Sequence, residues 1–517
     1  MAALLAALVA CNKEPQQVTP DDVDGKVYMQ FSVNMLTTRS GTDNPNNNYG
    51  SSDATPDVEV GFDYENTIST VDIVLVNGAT RVVANDVVPD KAATDTYVAS
   101  FNTLDLKAST EYKVYIYANC DNSESLDAVS SAAVNDMTQN NRFWMTNAYE
   151  AATTTLPADL SLYTVPQNPL NLGEHFVERA MARFDYMPIN NNEYSIMKGD
   201  AVNATVTLTQ AALINQSKAF YMLRRTSANG TSTNWTVGGT ETKLNYVVDT
   251  DWEAKQGGYT EAQIANFDAH LTVPTTWTWK SIAVADLKEK DNWNGTDDGA
   301  TGVNPAPTHP LNEYYKWQYA KENTIPGVNA QEHGISTGVV FKGQITGSAV
   351  EAANGEMIYV FENVLYGNWA AVEAAAAAAD APATLVAAVN KIKAIVDNPE
   401  TETVEAADVD DYAAAGFTGY NPASDGKYYA YYYYWNRHND NGNNAEMGTM
   451  EFAVVRNNVY KLCVDKIAKF GHPDPSDPGN PDPDKPDPED PDESLDYYFT
   501  VTVKVLPWVV RVNHIEF

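Results

Sequence analysis

The chain has 517 residues, with 69 acidic against 33 basic side chains and a formal net charge of −36. A surface this negative repels phosphate backbones and anionic lipid headgroups, which argues against nucleic acid or an acidic membrane face as a partner. The length allows more than one domain, and 30 tyrosines and 10 tryptophans, with frequent Thr and Val, favour strands.

The first residues, "MAALLAALVACNKEP", are too few to span a bilayer and read as the hydrophobic part of a signal peptide. Leu8-Val9-Ala10-Cys11 resembles a bacterial lipobox, which implies a diacylglyceryl group on the Cys11 sulfur and cleavage before it. No Lys or Arg precedes the apolar run, so the usual basic start is missing. The alternative is an ordinary signal peptide with an incidental cysteine. Residues 1–25 are assigned to this signal and tether.

Residues 26–39 form the next unit. Val27, Met29, Phe31, Val33 and Met35 alternate with Tyr28, Gln30, Ser32 and Asn34, the period of a strand with one buried face. Beyond Arg39 and Ser40 the chain turns to Ser, Gly, Asn, Asp and Pro, which cannot build a core and should lie open to solvent. A core-quality strand is thus tied to its protein by an exposed, arginine-marked tether, where a trypsin-like protease could cut.

Residues 40–173 give short alternating runs such as "TISTVDIVLVNG", "TYVASFNTL" and "YKVYIYAN", and are expected to form an antiparallel β-sandwich. The pattern restarts at "VERAMARFDY", so the second domain is placed at 174–470. There "ATVTLTQAAL" and "GVVFKGQITG" read as strands. "NWAAVEAAAAAADAPATLVAAVNKIKAIVD" predicts helix, broken into two pieces at Pro382 with Asp380 capping the second. "KYYAYYYYWNRH" predicts a strand with tyrosines on both faces, either packed on each side or offering a stacking platform for glycan rings. Cys120 and Cys463 lie far apart in apolar runs and are expected as two buried thiols without a disulfide.

Residues 471–494, "GHPDPSDPGNPDPDKPDPEDPDES", repeat Pro with an acid and predict an extended, self-repelling linker. After it, 495–517 return to strand character: Phe499, Val501, Val503 and Val505 alternate with polar residues, and Trp508, Val510 and Val512 continue after Pro507. Strand-quality segments therefore sit at both ends of the chain, each on a tether, and one could replace the other in a single groove. The terminal strand could equally pair within its own chain.

These residues resemble the fimbrillins of Bacteroidales, the type V pilus subunits, and among them the Mfa-type major subunit of the minor fimbria. The resemblance is carried by "ENTISTVDIVLV", "VERAMARFDY", "MGTMEFAVVRNNVYKLCVDKI" and "YYFTVTVKVLPWVVRVNHIEF", together with the lipobox and Arg39. It implies a mainly β fold of two transthyretin-like antiparallel β-sandwich domains, with the helical insertion in the second. It implies export as an outer-membrane lipoprotein through Cys11, processing between Arg39 and Ser40 by an arginine-specific protease, and release of the leader strand. It further implies that residues 495–517 donate a strand to another copy, head to tail, in an extracellular fimbrium that also holds anchor and tip subunits. The long Pro-Asp insertion before the donor segment departs from the family.

Signals for chemistry are weak. Gly334-Ile335-Ser336-Thr337-Gly338 fits a nucleophile elbow, but a polar loop precedes it and a strand follows, whereas that turn needs a strand before it and a helix after it. The seven histidines show no metal-binding spacing, and "RHNDNGNN" and "DNWNGTDDG" miss the EF-hand register. No enzyme activity, cofactor or metal is expected. The competing reading is a monomeric glycan-binding surface lipoprotein, or an accessory or tip adhesin subunit; a hydrolase using Ser336 is the remaining one.

Overall fold

The alternation of Val27, Met29, Phe31 and Val33 produces the strand it predicts, β1 (Val27–Met35), in the computed structural model. The structure describes residues 27–35, most of 61–250, 278–290, 314–324, 337–396, 409–438, 450, 452–473 and 499–507.

Seven further strands join β1 in one sheet: β2 (Val71–Asn77), β3 (Thr80–Val87), β4 (Asp90–Ala93), β5 (Thr96–Thr103), β6 (Glu111–Ala118), β7 (Met145–Asn147) and β8 (Leu170–Arg179). Their order is β3-β2-β6-β7-β8-β1-β5-β4, with Thr153–Thr155 on β6. The strands predicted from "TISTVDIVLVNG", "TYVASFNTL" and "YKVYIYAN" are β2, β5 and β6. Their alternating apolar residues, such as Ile73 and Leu75 on β2 and Val114 and Ile116 on β6, fill the core beneath β1.

The chain leaves this sheet between Arg179 and Ala182, a few residues beyond the expected boundary at 173, because β8 carries "FVER" to its end before the turn at Ala180-Met181. The second half holds a sheet of β9 (Ala182–Tyr186), β12 (Tyr315–Ala320), β15 (Asn458–Ile467) and β16 (Phe499–Pro507), in the order β12-β9-β15-β16. A facing sheet runs β10 (Glu193–Lys198), β11 (Ala201–Ile214), β13 (Gly338–Thr346) and β14 (Tyr428–Trp435). Contacts such as Tyr186 on Phe341, with ring centres 5.9 Å apart, and the Tyr194 hydroxyl donating to the Val464 carbonyl at 2.7 Å join the two. The fold is mainly β and its pairings are largely antiparallel, as expected. One apolar core runs from β1 to Phe470.

The alanine-rich stretch forms two helices, Trp369–Ala376 and Ala383–Val396, split at Pro382 as predicted. The cap differs from expectation. The second helix begins directly after Pro382, whose carbonyl accepts the Val386 N–H at 3.1 Å, so Asp380 lies too far upstream to cap it. Asn368 caps the first, its side chain accepting the Ala371 N–H at 3.0 Å.

Candidate functional site

β1 is flanked on both sides. It runs antiparallel to β5, from Val27 opposite Thr103 to Asn34 opposite Thr96, and parallel to β8, from Met29 opposite Leu170 to Met35 opposite Val177. A strand near the N-terminus is therefore an interior member of its sheet, and its departure would leave a slot with two unpaired edges, the template on which another strand can form. Val27, Met29, Phe31 and Val33 are buried at 6, 0, 1 and 0% exposure. Met35 ends the strand, and nothing of its side chain is described.

The slot is built around Phe31. Its ring stands edge-on to Phe101 of β5 at 5.9 Å and to His175 of β8 at 5.4 Å. His175 is buried, and burial pushes its pKa down, partly offset by a hydrogen bond at the Leu172 backbone. The sequence reading missed both lining residues, since alternation shows which face of a strand is buried but not what lies opposite.

The slot is tied to the second half through the short helix α1 (Asp63–Asn66). The Arg183 guanidinium on β9 donates to the Glu65 carboxylate at 2.8 Å and to both Asp185 oxygens at 2.8 Å, and the Lys461 ammonium of β15 reaches Asp185 at 2.9 Å. All four charges are fully buried and sum to zero. Burial alone would raise the Asp185 pKa, but Arg183 and Lys461 outweigh it and hold the carboxyl below its usual range. The Tyr319 hydroxyl donates to the other Glu65 oxygen at 2.6 Å, and the Phe62 N–H to the first at 2.7 Å. Charges at alternate positions in the otherwise apolar "ARFDY" were the available sequence signal for this joint.

The terminal strand β16 lies antiparallel on β15 of its own chain, from Asn458 opposite Pro507 to Ile467 opposite Phe499, with Cys463 opposite Thr502. Among the described residues it has one partner and ends its sheet. The strand positions Phe499, Val501, Val503 and Val505 fall in β16, while Trp508, Val510 and Val512 lie outside the described residues, as do Cys11, Arg39, Ser40 and Ser336.

The segment before the linker is pinned. The Tyr431 N–H donates to the His472 carbonyl and the His472 N–H to the Tyr431 carbonyl, each at 2.8 Å, and the Tyr420 hydroxyl donates to the Gly471 carbonyl at 2.5 Å. A side chain on Gly471 would collide with the Tyr431 carbonyl, so the close approach requires glycine there. The tyrosine-rich strand is β14, with Tyr428, Tyr432 and Tyr434 buried and Tyr429, Tyr431, Tyr433 and Trp435 half-buried on the other face. Cys120 and Cys463 are both buried thiols, not joined to each other. Among the described residues no group of acidic, His or Cys side chains is arranged to hold a metal, and no helix is long and apolar enough to cross a membrane.

Residues 427–514, which include β14, β15, the linker and β16, match the family model described as "Major fimbrial subunit protein type IV, Fimbrillin, C-terminal". A search of curated proteins gives no match. Among solved structures, a fimbrilin (fimA) from Porphyromonas gingivalis is 12% identical with a TM-score of 0.35, covering 93% of this chain and 98% of its own. The tip fimbrial protein Mfa3 from the same organism is 9% identical with a TM-score of 0.32, covering 86% and 95%. At these values the two likenesses decide neither fold nor function. Residues 427–514, which carry the terminal strand and the strand it pairs with, are thus similar to the C-terminal region of fimbrillins.

Proposed function

We propose that this fimbrial subunit is exported as an outer-membrane lipoprotein through Cys11, loses β1 after an arginine-specific protease cuts between Arg39 and Ser40, and polymerises when the terminal strand of another copy enters the emptied slot. The observation that carries the reading is the unequal pairing of the two end strands. β1 has a ladder on each side, whereas β16, among the described residues, has one partner and sits at a sheet end. A net backbone hydrogen bond contributes about 0.5–1.5 kcal/mol. A second ladder, together with burial of apolar residues at about 1.5–3 kcal/mol each, favours the slot over the strand's own edge once the leader is gone.

The tether supplies reach. His472 is held at β14, and Phe499 begins β16. A Pro/Asp-rich segment of that length can span roughly 80 Å at about 3.1 Å per residue when extended. Folding back on β15 keeps the tail occupied, and a tether holds it near its own edge at an effective concentration of about millimolar. Leader removal then acts as the trigger, because before it the two-sided position between β5 and β8 is full. Since the contact is head to tail it does not close on itself, and it builds a filament. Residues 40–173, 174–470, 471–494 and 495–517 act in this scheme as the acceptor domain, the second domain, the tether and the donor. Anchor and tip subunits and the protease are the further partners.

Protein isolated from the cell surface should begin at Ser40 and run as boiling-sensitive ladders on a denaturing gel. Replacing Arg39 or deleting 495–517 should abolish the ladders. Ladders that persist in the deletion variant would rule the donor assignment out.

A further inference from the structure

The chain contains ten arginines, and their placement is unusual. Arginine is among the residues least often fully buried. Yet Arg179, Arg183, Arg224, Arg225, Arg437 and Arg456 are all buried, at 0–7% exposure. The lysines show the opposite habit: most described ones are exposed, and of the described lysines only Lys321 and Lys461 are buried.

Each buried guanidinium is held by its surroundings. Arg224 pairs with the buried Glu178 at 2.8 Å, and Arg456 with Glu322 at 3.0 Å while also donating to the Met222 carbonyl at 3.0 Å. Arg179 donates to the Glu65 carbonyl at 3.0 Å and to the Asn457 side chain at 3.2 Å. Arg225 lies 3.7 Å from the Tyr221 ring centre and 4.1 Å from that of Trp235, and Arg437 stacks on Phe452 at 5.0 Å. The residue after each is buried too, as with Ala180, Phe184, Thr226, His438 and Asn457.

Two described arginines are more open. Arg81 is half-buried, but it sits inside β3 opposite Val76, and its guanidinium donates to Asn122 at 2.6 Å. Arg142 is exposed, yet its own N–H donates to the Gln139 carbonyl at 3.0 Å. Phe143, which follows it, is fully buried, packs edge-on to Tyr319 at 5.2 Å, and accepts the Asn119 side-chain N–H at 2.9 Å through its carbonyl. The bond after Arg142 is therefore locked on its far side. An endopeptidase binds its substrate as an extended segment that spans both sides of the bond, and at each of these eight sites at least one side is held in the fold, so binding there requires local opening.

We propose that the fold withholds these eight arginyl bonds from an arginine-specific endopeptidase, so that processing of the native chain is restricted by arginine burial rather than by sequence preference around each site. The bonds after Arg39 and Arg511 lie outside the described residues, and the inference does not concern them. It rests on the processing reading for its purpose, but its physical content is separate. Lysine at the exposed positions supplies charge without creating a cleavable bond for such a protease.

The test uses the full chain, native and unfolded in urea, with an arginine-specific endopeptidase and a mass-spectrometric count of new termini over time. An R39K variant removes the processing bond. In native R39K the eight bonds should be cut at least about 1000-fold more slowly than in the unfolded chain, in keeping with the small fraction of a folded protein that is open at any moment. Cleavage after Arg142, or after any of the other seven, within about tenfold of the unfolded rate would overturn the inference. If native wild type keeps its Arg39 bond while the eight stay protected, the protection stands and the processing reading fails.

Discussion

Replacing Phe31 by alanine should loosen the leader strand without altering the assembled product. Phe31 is 1% exposed and its ring touches Phe101 and His175 edge-on. A buried Phe→Ala change costs about 3–5 kcal/mol through lost transfer energy and the cavity left behind, of which each aromatic contact accounts for about 0.5–1.5 kcal/mol. At 1.4 kcal/mol per factor of ten, a loss near 3 kcal/mol lowers the equilibrium constant for seating the leader in the slot about 150-fold. The unprocessed F31A chain should unfold at lower urea than wild type, read by tryptophan fluorescence. After cleavage at Arg39 the two proteins have the same sequence, so their polymers should be equally stable. An unprocessed F31A chain as stable as wild type would show that β1 does not hold the first sheet together. Polymers that differ would show that the leader stays in the filament.

Further outcomes follow from the same contacts. His175 has a lowered pKa in the folded chain, so above about pH 6.5 it is neutral in both states. Below that the unfolded state takes up more protons, and stability should fall with pH by up to about 1.4 kcal/mol per unit. His175→Gln should remove this part of the slope in a urea titration series, and an unchanged slope would exclude the histidine as its source. At the joint, Glu65→Ala leaves Arg183 without one of its two carboxylates in a fully buried site. Breaking a buried pair in this way costs about 3–5 kcal/mol, so calorimetry should show a clearly lower Tm, and an unchanged Tm would refute the structural role of the joint. Gly471→Ala should break the pairing of His472 with Tyr431, speeding hydrogen exchange at the Tyr431 amide; protection equal to wild type would contradict the close approach seen there.

What could be read from the sequence was local. The period of two in residues 27–35 showed a strand with one buried face, and the alanine run with Pro382 showed two helices, because both signals depend only on neighbours along the chain. Partners were not legible. Nothing in β1 announces that β8, about 140 residues later, lies parallel to it, and the alternation in β16 is equally compatible with its own β15 or another molecule's slot. The charged joint was hidden for a related reason: Glu65, Arg183, Asp185 and Lys461 neutralise one another across three separate stretches of sequence. The cap of the second helix fell to Pro382 rather than Asp380 because a proline at the boundary fixes the start of the helix more firmly than an acid two residues earlier.

The terminal strand can be tested where it lies. Thr502 stands directly opposite Cys463 on the paired strands, so Thr502→Cys places two cysteines at a separation that a disulfide can bridge. Oxidised T502C should lock the tail on its own chain and yield processed monomers without ladders, and reduction should restore polymerisation to the wild-type level. Locked protein that polymerises as well as wild type would contradict the account, because its donor would then have to be some other part of the chain.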